Sequence, residues 1–324
     1  MGGLWRITGR RPVARATTEK GSNSLAQIVF VTSVQYAPPM LAAIASQVRM
    51  TPDIDPGLLT PVAEHHGSHI INPGTRVPRV IRGAASQWPA THRWTFDYLA
   101  KLGGDRPVKL VVGNRELGAT GFTQSTFSEC VGALAANGSI WGNGAHTAHL
   151  KEFDLLREFP ALRKDVDTHA LLPPRRYVSS SAWIGPRAAH TGLHYDYLDN
   201  LAVLLRGAKR FYLARPGVVE SQGALSSKYD RWARLAGVGI QGLTARKLPQ
   251  ASLFVADLHP GDAIFIPKGW WHEVVNLDNS ILLSGFYGPM PRVTALWLWT
   301  GARQLIHDAT PFAGRQCTCH AATP

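Results

Sequence analysis

From residue 177 to residue 287 apolar side chains recur at every second position in short runs, and this period limits the possible folds more than any other feature. Runs 182–185, 193–196, 200–205, 209–213, 263–266, 271–276 and 281–287 read as strands separated by turn residues. Gly207 breaks one pair into a tight hairpin, and Pro260-Gly261-Asp262 and Lys268-Gly269 mark two further turns. Short strands at this spacing imply a mainly β protein with helical decoration, built as a double-stranded β-helix or jelly roll. The mouth of such a barrel is a natural ligand cavity. Upstream, 77–81 and 108–112 read as strands, and 94–102 reads as a helix ended by Gly103-Gly104. Apolar spacing across 122–135 predicts a helix, and Pro160 breaks the mixed segment 155–162. Residues 293–306 carry a broad apolar face including Leu296, Trp297, Thr300 and Leu305, expected in a C-terminal helix that packs on the barrel or pairs two copies.

Residues i and i+2 of a strand point to one face, so His194 and Asp196 can grip a single ion while Tyr195 faces away. A third donor, His272, follows Pro267-Lys268-Gly269-Trp270-Trp271 on a returning strand. Two imidazoles and one carboxylate leave about three open positions on an octahedral metal, whereas a closed zinc site would want a fourth ligand. A lone His-x-Asp pair is often only a surface hydrogen bond. The weight comes from an ordered set: Thr191-Gly192-Leu193-His194-Tyr195-Asp196, Asp199-Asn200-Leu201, Leu205-Arg206-Gly207-Ala208-Lys209-Arg210-Phe211, Pro260-Gly261-Asp262, and 267–272.

In these residues the chain resembles the JmjC-like, cupin-type oxygenases that use Fe(II) and 2-oxoglutarate, especially the branch with the asparaginyl hydroxylase of hypoxia-inducible factor. The resemblance extends through Pro78-Arg79-Val80-Ile81-Arg82-Gly83 and Trp88-Pro89, and spans 66–290. It implies an iron centre of His194, Asp196 and His272, with 2-oxoglutarate as co-substrate beside dioxygen. It also implies that Lys209 anchors the distal carboxylate of 2-oxoglutarate, that Thr191 touches the same carboxylate, and that Asn200 has a polar role near the metal. Strict alternation puts Thr191 out of phase with His194, so a bulge is required, and Gly192 stands where one forms at little steric cost. Where the branch has a tyrosine at the co-substrate, this chain has His149, either a carboxylate ligand or a surface histidine. Ser284 stands where the asparaginyl hydroxylase has an asparagine. The expected organisation is a partly disordered N-terminal extension over 1–65, an oxygenase domain over 66–290, and a C-terminal helix and tail over 291–324.

Lys plus Arg number 34 against 22 for Asp plus Glu, a net charge of +12 that favours acidic partners; beyond this charge nothing indicates nucleic acid. No run of 18 apolar residues exists, so no membrane span is expected. Three cysteines cannot build a disulfide framework and fit a reducing compartment, with cytoplasm the expectation. Cys317-Thr318-Cys319-His320 lacks the usual two-residue spacing of a zinc knuckle and is expected to be a mobile tail. Residues 1–20 hold Arg6, Arg10, Arg11, Arg15 and Lys20 against Glu19 alone, a pattern shared by transit peptides and basic extensions. Residues 220–250 interrupt the strands with Tyr229, Trp232, Lys228, Arg231, Arg234, Arg246 and Lys247, and are expected to face the substrate. The expected activity is hydroxylation of a protein or peptide side chain. The alternatives are hydroxylation of a metabolite, and a metal-binding cupin or scaffold without oxygenase chemistry.

Overall fold

The computed structural model describes residues 54–66, 71, 74–136, 147–167, 177–310 and 316–321. Two sheets face each other. In spatial order the six-stranded sheet holds β1 (Thr60–Pro61), β12 (Leu253–Leu258), β10 (Lys209–Ala214), β14 (Trp271–Asn276), β8 (His190–Asp196) and β11 (Ala233–Leu235). The nine-stranded sheet runs β2 (Glu64–His66), β3 (Arg79–Arg82), β13 (Ala263–Ile266), β9 (Asp199–Arg206), β15 (Ser280–Tyr287), β7 (Tyr177–Gly185), β6 (Ala148–Phe153), β4 (Pro107–Val112) and β5 (Gly121–Thr126). The jelly roll expected from the period of two is therefore present. Residues 60–61 and 64–66, at the end of the expected extension, pair as parallel edge strands with β12 and β3. The extension up to residue 53, with its basic stretch 1–20, lies outside the described residues.

Burial on both faces explains why β9 reads as a nearly continuous apolar run. Its Leu201, Val203 and Leu205 pack outward against a helical layer with Trp94, Leu99, Phe127 and Leu134. Its Ala202 and Leu204 face inward and meet Phe211, Leu213, Ile264 and Leu282. A third cluster, with Leu193, Tyr212 and Trp271, covers the outside of the six-stranded sheet under Ile240 and Leu243. The Pro-Gly-Asp turn is a staple: Asp262 accepts the amides of His259 and Gly83, both at 3.0 Å, and the guanidinium of Arg82 at 2.7 Å.

Helix α1 (Phe96–Gly103) starts two residues later than the spacing predicted, because Thr95 caps it by accepting the Tyr98 amide at 3.0 Å. Residues 122–135 are not one helix. The first part pairs antiparallel with β4 as β5, and α2 (Phe127–Ala135) begins only after a capping box of Thr126 and Glu129. Pro160 divides its segment as expected, into a helical turn Leu155–Glu158 and a 3-10 turn Pro160–Asp165.

The long helix α3 (Met290–Ala309) buries Val293, Thr300 and His307, while Trp297, Leu298, Trp299 and Leu305 stay exposed. Its predicted apolar face is thus split between packing and solvent. Among the described residues no helix is long and apolar enough to cross a membrane. Residues 316–321 do not trail away as a tail: the Tyr229 amide donates to the Gln316 carbonyl at 2.9 Å and the Thr318 amide to the Tyr229 carbonyl at 3.1 Å, and Cys317 is buried. The local sequence lacks any period that would announce this docking, because its partner Tyr229 lies almost ninety residues upstream and meets it through an isolated bridge.

Candidate metal centre

Strands β8 and β14 run antiparallel with His194 directly opposite His272, and the two ring centroids lie 4.2 Å apart. Asp196 reaches both from the same face: one carboxylate oxygen is 3.9 Å from His194 Nε2 and the other 3.5 Å from His272 Nε2. The three donor atoms lie within 4.8 Å of one another. Each imidazole is aimed by its other nitrogen, since His194 Nδ1 lies 2.7 Å from the Gly192 carbonyl and His272 Nδ1 lies 3.1 Å from the Trp270 carbonyl. A carbonyl only accepts, so Nδ1 carries a hydrogen in each ring, and Nε2 is left as the atom that can ligate an ion. Burial lowers the His194 imidazole to about 4, which keeps it in the neutral, ligating form. The loop before His272 is tied to Asp196 and to the start of β9, with the Gly269 amide on the Asp196 carbonyl at 3.2 Å and the Lys268 amide on the Asp199 carboxylate at 2.9 Å. Two imidazoles and a carboxylate on one face fit a divalent ion with positions left open.

Thr191 joins this face through the required bulge. From the pair His194 and His272 to the pair Thr191 and Val274, three steps along β8 match two along β14. Gly192 occupies the bulge in a space that a Cβ would overfill, 2.7 Å from Asn114 Oδ1 and 2.7 Å from Glu116 Cβ. Its amide donates to Glu116 Oε2 at 3.1 Å. Burial alone would raise the Glu116 carboxyl, but Lys151 and Arg115 hold it well below the usual carboxylate range.

A cavity of about 300 Å³ opens beside the three ligands, and Lys209, Thr191, Asn200 and His149 all line it. Lys209 sits just past the hairpin at Gly207, where φ is +79° and a Cβ would strike the Asn279 carbonyl. Burial lowers its ammonium to about 7, and among the described residues no carboxylate pairs with it. It donates to Asn276 Oδ1 at 2.5 Å, while the Asn276 amide nitrogen is fixed on the Gly185 and Pro186 carbonyls at 3.2 and 2.9 Å. Asn200 donates to Asp196 Oδ2 at 3.3 Å, and its own Oδ1 is buried without a partner. His149 is no surface residue: it is buried on β6, lowered by burial to about 3, and neither ring nitrogen has a partner among the described residues. Orphaned polar atoms around a buried ammonium fit a polar, anionic ligand.

Sequence reasoning missed Asn276 and the Glu116–Lys151 pair. Asn276 shares the parity of His272, so extending the period four residues would have found it. Glu116 lies in the connection between β4 and β5, where no period exists to read. From 220–250, Asp230, Trp232, Ala233 and Leu235 reach the cavity, with Trp232 meeting Trp297 edge-on at 5.6 Å. The basic side chains expected to face the substrate do not line it. Lys228 donates to the Gly118 carbonyl at 2.8 Å, and Arg246 donates to the Gln222 carbonyl.

A double-sheeted barrel with two imidazoles and one carboxylate at its mouth defines a cupin-like protein with a candidate metal site. The family model of the cupin-like domain matches residues 73–292, and the chain belongs to this cupin-like (JmjC) family. It is 24% identical over 242 residues to Jumonji C domain-containing protein 5 of Drosophila melanogaster, covering 72% of this chain and 60% of that protein. It is 26% identical over 242 residues to lysine-specific demethylase 8 of Xenopus tropicalis, covering 71% of this chain and 52% of that protein. It is 24% identical over 235 residues to tRNA wybutosine-synthesizing protein 5 of Homo sapiens, covering 67% of this chain and 72% of that protein. The match thus spans little more than half the length of the first two relatives.

Proposed function

We propose that this chain is an Fe(II)- and 2-oxoglutarate-dependent oxygenase that hydroxylates a side chain of a protein or peptide. The carrying observation is the convergence of His194, Asp196 and His272 on a cavity whose wall holds the buried ammonium of Lys209. Bound iron and co-substrate would supply activation of dioxygen for insertion of an oxygen atom into a C–H bond, with succinate and carbon dioxide as co-products. The chain's own contribution is placement. His194, Asp196 and His272 hold the ion from one side, and Asn200 orients the Asp196 carboxylate by donating to it. Lys209 and Thr191 hold the distal carboxylate of 2-oxoglutarate, and neutral His149 offers it a further N–H. Trp232 and Trp297 cover the rim and limit water.

A polypeptide substrate is favoured by that rim, which is partly exposed and aromatic. The Arg303 guanidinium lies 4.5 Å over Trp299, which packs edge-on at 5.2 Å against the cavity-lining Tyr197, so an acidic segment entering there would meet both apolar area and positive charge. The names of the relatives span demethylation and tRNA modification, so they support the chemistry more than the substrate. A reducing compartment such as cytoplasm suits ferrous iron. The exposed Trp297, Leu298 and Leu305 of α3 support a homodimer, and a strictly monomeric mass in light scattering at high concentration would remove that part.

Succinate release, measured with iron, 2-oxoglutarate and oxygen against acidic peptides and a metabolite panel, tests the activity. A peptide product heavier by one oxygen is the expected outcome. A metabolite product alone would move the reading to small molecules. Absence of succinate, together with no visible charge-transfer band on adding 2-oxoglutarate to the anaerobic iron protein, would leave a metal-binding cupin without oxygenase chemistry.

A further inference from the structure

A second group of metal-ligating side chains lies outside the cavity. His307, on the last turn of α3, meets Cys317, Cys319 and His320, and their ligand atoms all lie within 4.8 Å of one another. Cys317 Sγ is 3.3 Å from His320 Nδ1, and Cys319 Sγ is 3.4 Å from His307 Nε2 and 3.5 Å from His320 Nδ1. The two ring nitrogens are 3.4 Å apart. In a zinc tetrahedron with bonds of about 2.3 Å to sulfur and about 2.05 Å to nitrogen, the edges are roughly 3.5 Å between nitrogen and sulfur and roughly 3.3 Å between nitrogens. All four separations match those edges.

We propose that His307, Cys317, Cys319 and His320 form a closed, structural zinc site. Two thiolates and two imidazoles are a soft, nitrogen-and-sulfur donor set that selects zinc over the iron suited to His194, Asp196 and His272. Cys317 and His307 are buried, while Cys319 and His320 leave an entry path from solvent. The surroundings are built for the arrangement. Thr120 donates to the Cys317 carbonyl at 2.6 Å, Thr318 donates to Asp230, and the Tyr229 ring stacks on His307 at 4.1 Å.

The position gives the ion a structural task. Zinc would clamp the end of α3 to the 316–321 segment, and that segment already pairs with Tyr229. Asp230 and Trp232 follow at once in the chain and line the oxygenase cavity, and α3 itself brings Leu296 and Trp297 to the same wall. The site would thereby brace one wall of the cavity from outside. Its existence does not depend on the oxygenase reading.

The experiment is metal analysis of the full chain purified without chelator. One equivalent of zinc is expected, retained in His194→Ala, which damages only the iron centre. Cys319→Ser and His320→Ala, both at solvent-accessible positions, should lose that equivalent. Cobalt replacing the zinc should show the intense visible bands of a tetrahedral site and a thiolate charge-transfer band in the near ultraviolet. Substoichiometric zinc in the wild type, with cobalt protein lacking the thiolate band, would overturn the assignment, as would recovery of Cys317 and Cys319 joined as a disulfide.

Discussion

The buried carboxylate of Glu116 accepts the amide of Gly192 at 3.1 Å, at the bulge that brings Thr191 and His194 onto one face of β8. A residue from a connection between two outer strands thus sets the phase of the strand that carries His194 and Asp196. Gly192→Ala would force a methyl group against Asn114 and Glu116. A destabilisation of about 1–3 kcal/mol is expected from the overpacking, read in the denaturant midpoint, together with weaker iron binding as His194 is displaced. Wild-type iron affinity in this variant would show that the bulge does not place the ligand.

His194→Ala, Asp196→Ala and His272→Ala should each abolish succinate formation while circular dichroism and the unfolding midpoint stay near wild type. The three side chains line a cavity and none belongs to the apolar clusters that hold the sheets together. Asp196→Ala is the sharpest case because it removes a charge as well as a donor. Turnover at the wild-type rate in any of the three, with iron the only metal present, would refute the assignment of the centre.

Lys209→Ala should weaken 2-oxoglutarate binding by two to four orders of magnitude. An unpaired carboxylate in a buried site costs about 3–5 kcal/mol, and about 1.4 kcal/mol corresponds to each factor of ten. Iron affinity should hardly change. Lys209→Arg should recover part of the loss, since the longer guanidinium must fit a pocket closed by Asn276. Anaerobic titration of each iron-loaded variant with 2-oxoglutarate measures this, and unchanged affinity in Lys209→Ala would shift the anchor to His149.

The pH dependence of that titration follows from the same lysine. Burial lowers the Lys209 ammonium to about 7. A bound carboxylate beside it favours the charged form and raises the value again, so binding takes up a proton at any pH between the free and bound values. Affinity should therefore be nearly level below pH ~7 and fall by up to about tenfold per pH unit above it. Lys209→Arg, always charged, should flatten the curve over that range. An affinity that rises with pH above 7 in the wild type would contradict the assigned partner.

Local spacing carried the barrel and half of its site. The parity of His194 and Asp196, the returning strand at His272 and the hairpin at Gly207 each depend on residues within a few positions, because side-chain direction in a strand is set by the residue's own place in the count. The bulge at Gly192 was legible too, but only because the resemblance to JmjC-like oxygenases set Thr191 at the co-substrate, in conflict with that count. Spacing alone misled at 122–135, where the pairing of β5 with β4 overrode a helical pattern that becomes real only after the Thr126 cap. Tertiary structure alone decided that Glu116 and Lys151 meet beneath the bulge, that His149 is buried with both nitrogens turned from solvent, and that His307 meets Cys317, Cys319 and His320. Those groups sit on connections and chain ends, where no repeating backbone geometry links one side chain's direction to the next. Their meeting is fixed by which segments the packed sheets and α3 bring together, and that depends on contacts across the whole chain.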